Sequence, residues 1–126
     1  MSSPRTARPR SASTDLPAVP LTLEGYTVLH QMMRVRWTAW RHMQPALKAE
    51  IADEAAGFLS RAEQNPTGPS AAYSLLGHKG DLMFVHFRSG FEDLNSVELE
   101  IARLRLSEYL EPTTSYLSVI ELGLYE

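Results

Sequence analysis

The sequence predicts an α+β domain with four strands and two helices in the order β-α-β-β-α-β, and three observations predict it. Two short apolar runs, Tyr73-Ser74-Leu75-Leu76 and Leu82-Met83-Phe84-Val85-His86-Phe87, flank Gly77-His78-Lys79-Gly80-Asp81, the pattern of a β-hairpin with a long loop. Two segments, one before and one after this hairpin, place apolar residues at helical spacing. The two outermost segments alternate with period 2, as strands do.

In chain order, Leu23 to Met33 is the first strand, with Tyr26, Val28, His30 and Met32 on one side and Thr27, Leu29, Gln31 and Met33 on the other. Trp37 and Trp40, three apart, suit a short helical segment with both indoles inward. Pro45 opens the first long helix, where a proline in the first turn removes no hydrogen bond. Its stripe is Leu47, Ile51, Ala55, Phe58, Leu59 and Ala62, and Asn65-Pro66-Thr67-Gly68-Pro69 ends it. After the hairpin, Phe91 to Leu110 reads as the second helix, with Glu92 and Asp93 in its first turn, a stripe of Leu94, Val97, Ile101, Leu104 and Leu106, and Pro112 as its stop. Thr114 to Leu122 is the last strand.

This order is the ferredoxin-like split βαβ arrangement, with two helices on one face of a four-stranded antiparallel sheet. Leu82 to Phe87 is apolar on both sides, so the face without helices also needs a cover. A second sheet supplies one, which makes the domain half of a dimeric α+β barrel.

Composition narrows the function classes. With 126 residues, 44% of them hydrophobic, the chain holds one domain. A net charge of −3 gives no reason to expect nucleic acid or an anionic membrane as partner. The absence of cysteine removes disulfides, thiolate catalysis and zinc–thiolate sites. No apolar run reaches transmembrane length and the N-terminus has no secretory h-region, so a soluble cytoplasmic protein is expected. Residues 1–20 hold four prolines and Arg5, Arg8 and Arg10 against the single acid Asp15. They read as a disordered tail, with a faint likeness to an organelle transit peptide but without its amphipathic apolar face. The domain is expected over residues 21–126.

The motifs Leu23-Glu24-Gly25-Tyr26 with Leu29-His30, Trp37-x-x-Trp40, and Tyr73-Ser74-x-Leu76-Gly77-His78-Lys79-x-Asp81-Leu82 resemble the chlorite-dismutase-like superfamily, in its coproheme decarboxylase branch. Leu94-Asn95, Glu98, Tyr109-Leu110-x-Pro112-Thr113-x-Ser115-Tyr116-x-Ser118-Val119-x-Glu121-Leu122 and Tyr125 continue the resemblance over residues 21–126. It implies peroxide-dependent oxidative decarboxylation of two propionates of iron-coproporphyrin III to give haem b. It further implies two ferredoxin-like halves per subunit, usually in a homopentamer, with the proximal His and catalytic Tyr beyond the first half. The family also holds chlorite-degrading enzymes, which use a distal arginine in that other half. This chain resembles the N-terminal half alone, so no catalytic residue and no metal ligand is expected in it. Tyr125 matches a tyrosine that contacts a porphyrin propionate. The implied partners are the porphyrin, a second ferredoxin-like half or another copy of the chain, and a homo-oligomer. A stand-alone dimeric α+β-barrel module without catalysis is the reading from a different class.

Other candidate residues are weaker. His78-Lys79 can meet an anionic propionate, although a basic pair in a loop is more often only solvated. His30 and His86 fall on strands that neighbour each other, but two histidines lack the three or four ligands of a stable metal site and suit hydrogen-bonded sheet positions better. His42 is expected to be exposed. Tyr73, Tyr109 and Tyr116 are packing residues unless a haem lies near. Glu98 and Glu100 point to different faces of their helix.

Overall fold

The chain's structure is a computed structural model that describes residues 25–121. The expected tail, the start of the first strand, and Leu122 and Tyr125 lie outside the described residues. Strand β1 (Thr27–Val35) is followed by a short helix α1 (Trp37–Arg41) and the long helix α2 (Pro45–Glu63). Strands β2 (Ser70–Ser74) and β3 (Leu82–Arg88) form the hairpin. Helix α3 (Phe91–Ala102) leads through a 3-10 turn at Arg105–Tyr109 into β4 (Leu110–Val119). The sheet is antiparallel throughout, in the order β2-β3-β1-β4, which is the ferredoxin-like topology.

Register assigns the two faces. Gln31 stands opposite Phe84 and Met33 opposite Leu82, so one face carries Leu29, Gln31, Met33, Leu82, Phe84 and His86. Phe58 and Leu59 of α2 and Ile101 of α3 pack there, around a cluster of Met33, Phe84, Ile101 and Leu110. Most of the predicted helix stripes are inward: Ile51, Ala55 and Ala62 in α2, and Leu94, Val97 and Ile101 in α3, are buried, whereas Leu47 is exposed and Leu104 lies beyond the end of α3. The other face carries Val28, His30 and Met32 of β1 against Val85, Met83 and Phe87 of β3.

Several boundaries differ from the expectation. β1 is displaced towards the C-terminus because Gly25 takes a left-handed φ of +84° and its amide bonds to Ile120, which turns the chain just before Thr27. Trp37 does not point inward but is 47% exposed. Only Trp40 is half-buried, its ring edge-on to Tyr109. The second helix ends at Ala102 rather than Leu110, for the next residues are held by α2. The Arg105 amide donates to Glu54 at 2.9 Å, and its guanidinium lies 3.3 Å from Glu50. Pro112 does not stop a helix. It sits inside β4, an edge strand, beside a register shift opposite Met32 and Met33, where an edge and a bulge tolerate the missing N–H.

Candidate functional site

The face opposite the helices is the first candidate. Its middle is apolar, with Val28, Met32 and Val85 buried, while its edge strands carry exposed tyrosines, Tyr73 on β2 and Tyr116 on β4. Register places Tyr116 opposite His30. The two rings meet edge to face with centroids 6.2 Å apart. His30 Nδ1 is buried without a hydrogen-bond partner.

The backbone of the hairpin loop is pinned beside this face, while its His78 and Lys79 side chains stay exposed. Its ends close through the Leu75 amide to the Asp81 carbonyl (2.9 Å). The Asp81 amide donates to the Met33 carbonyl (2.7 Å), and the Asp81 carboxylate accepts from the Val35 amide (2.8 Å). Arg34 donates to the His78 carbonyl (2.6 Å) and the Thr113 hydroxyl to the Lys79 carbonyl (2.5 Å). Gly80 makes this approach feasible, since a Cβ there would stand 2.7 Å from the Met33 carbonyl oxygen. The loop therefore delivers Lys79 to β4, where its ammonium donates to the Tyr116 hydroxyl at 3.4 Å. His78 and His42 are exposed. His78 lends only its carbonyl to the loop's hydrogen bonds.

His30 and His86 are on neighbouring strands but on opposite faces, because His86 pairs with Leu29. They cannot share an ion. Among the described residues no group of three His, Asp or Glu is arranged to hold a metal. His86 is fully buried on the helix side, with Ser70 Oγ at 2.6 Å from Nδ1 and Gln31 Oε1 at 2.9 Å from Nε2. Burial, and then the charge of Arg88, push its pKa down to about 4. Arg88 donates to the carbonyls of Gly68, Pro69 and Phe87 and to Ser70 Oγ (3.1 Å). Burial also lowers its pKa, against the raising influence of Glu100 and Asp93. The expected hydrogen-bonded sheet position holds for His86, but its partners Gln31, Ser70 and Arg88 were not anticipated. The network's one signal was that Gln31 and His86 interrupt otherwise apolar strand faces.

Two depressions lie among the described residues. A groove of about 290 Å³ lies between α3 and β4, and a cleft of about 200 Å³ lies before Arg88. The class this geometry defines is a ferredoxin-like domain whose described helices all lie on one face of the sheet.

The chlorite dismutase family model matches residues 48–126. The coproheme decarboxylase of Staphylococcus saprophyticus is 35% identical over 113 residues, which cover 87% of this chain and 45% of that protein. The solved structure of a novel heme-binding protein from Thermus thermophilus matches with a TM-score of 0.72 at 30% identity, over 80% of this chain and 42% of that one. A chlorite dismutase structure from Candidatus Nitrospira defluvii matches with a TM-score of 0.74, 87% of this chain and 45% of that one, but at 17% identity it speaks for the fold alone. This chain belongs to the chlorite dismutase family. It spans less than half the length of each of these relatives.

Neither of the two depressions has a histidine in its lining. His86 is closed at both ring nitrogens, so it has none to offer an iron.

Proposed function

We propose that residues 21–126 serve as the N-terminal, non-iron-ligating half of a coproheme decarboxylase-type oxidoreductase of haem b biosynthesis. The observation that carries this is the match to a coproheme decarboxylase over 87% of this chain but only 45% of that protein. The role of this half is to bury its apolar sheet face against a second ferredoxin-like half, closing the barrel and excluding water from it. The porphyrin substrate, iron-coproporphyrin III, supplies the peroxide chemistry when bound, and its iron ligand and catalytic Tyr belong to the second half. Tyr125 donates its hydroxyl to a propionate. The complete protein works in the cytoplasm as a homo-oligomer. That no described helix is long and apolar enough to cross a membrane is consistent with this.

The test is a chimera in which this chain replaces the matching segment of the Staphylococcus saprophyticus enzyme. It is expected to convert iron-coproporphyrin III to haem b with peroxide, whereas this chain alone does not. Tyr125→Phe in the chimera should weaken coproheme binding about tenfold, as the loss of a hydrogen bond to a charged group does. A folded chimera without turnover rejects the proposal, and unchanged affinity removes Tyr125 as a contact.

A further inference from the structure

The groove between α3 and β4 has one buried polar side chain in its wall, and the surrounding hydrogen bonds fix which way that side chain faces. Gln31 is 6% exposed and lies in the groove with Met33, Glu98, Ile101, Pro112 and Ser115. It belongs to a chain that runs Arg88, Ser70, His86, Gln31, Glu98. Arg88 at one end only donates and the Glu98 carboxylate at the other only accepts. A single assignment satisfies every link. Arg88 donates to Ser70 Oγ, the Ser70 hydroxyl donates to His86 Nδ1, and His86 Nε2–H donates to Gln31 Oε1. The Gln31 NH₂ group is thereby turned to Glu98 and the groove.

The bond from Gln31 Nε2 to Glu98 Oε2 is long, at 3.4 Å. It uses one of the two N–H groups, and the second has no partner among the described residues. Glu98 is exposed and has no cation within ion-pair distance among the described residues. The groove thus presents a donor and an acceptor side by side on an apolar wall. A primary carboxamide complements both at once: its carbonyl accepts from Gln31 and its NH₂ donates to Glu98. A carboxylate of the same shape is repelled by Glu98 and leaves it unpaired.

We propose that this groove is a binding site for a small apolar molecule that carries a carboxamide. The site lies on the helix side of the sheet and is independent of the proposed porphyrin function. The groove's volume, at the lower end of ligand pockets, suits a single ring or a short branched chain.

The test is a titration of the 126-residue chain with benzamide, followed in ¹H–¹⁵N spectra. The expected result is a saturable shift of the Gln31 side-chain NH₂ pair, together with the backbone amides of Ile101 and Ser115. Benzoate should give no saturable shift at these positions. Glu98→Ala, a change at an exposed position that the fold tolerates, should weaken benzamide about fivefold. No saturable benzamide shift, equal affinity for benzoate, or unchanged affinity in Glu98→Ala would each overturn the proposal.

Discussion

His86 shows how one residue ties the sheet to solution conditions. In the unfolded chain a histidine titrates near its ordinary value of 6.5, whereas in the fold it is pushed down to about 4. Protonation therefore favours the unfolded chain. The stability that His86 secures is fully present above pH 6.5 and is lost as pH falls from 6.5 through about 4, by about 3 kcal/mol in total. Urea unfolding between pH 4 and 7 is expected to show this acid limb, and His86→Phe to flatten it. At neutral pH the same substitution should cost about 2–4 kcal/mol, because it strands the buried Ser70 hydroxyl and the Gln31 carbonyl. An acid limb that persists in His86→Phe would assign it to another group. Little of this was legible in the sequence. Gln31, Ser70, His86 and Arg88 are up to 57 positions apart, and only the pairing of β1, β2 and β3 brings them together.

At the scale of elements, reading failed where a contact from elsewhere outweighed a local signal. The stripes Ile51/Ala55/Ala62 and Leu94/Val97/Ile101 were legible because helical spacing is a local property that packing then uses. Pro112 was misread as a helix stop, since its tolerance depends on a bulge opposite β1 that no local pattern announces. Trp37 was misplaced for a related reason: two indoles at i, i+3 share a helix side, but α1 is only five residues long and buries neither fully. The hairpin loop was read correctly as a loop, but its attachment to Met33, Val35 and Thr113 was not visible. Gly80 tests that attachment. Gly80→Ala puts a Cβ 2.7 Å from the Met33 carbonyl oxygen, so the loop has to lift. The expected cost is about 1–3 kcal/mol in chemical unfolding, with loss of the Lys79–Tyr116 contact. A neutral substitution would mean that the loop is not pinned there.

For the whole molecule, the fold class was the most legible feature, since element order alone specifies the ferredoxin-like sheet. The sheet face opposite the described helices is buried in its middle and exposed at Tyr73 and Tyr116 on its edge strands, and the chain, a member of the chlorite dismutase family, spans less than half of each relative's length; the proposed second half is the partner for those edges. Tyr125, the one residue proposed for the porphyrin, lies outside the described residues; its role is drawn from the resemblance and is tested by Tyr125→Phe in the chimera. The most direct test of the central claim is a Soret-band titration with iron-coproporphyrin III, of this chain alone and of the chimera that restores the second half. A saturable shift is expected in the chimera and none in the chain alone. A saturable shift in the chain alone, or none in a chimera that circular dichroism shows to be folded, would contradict the claim.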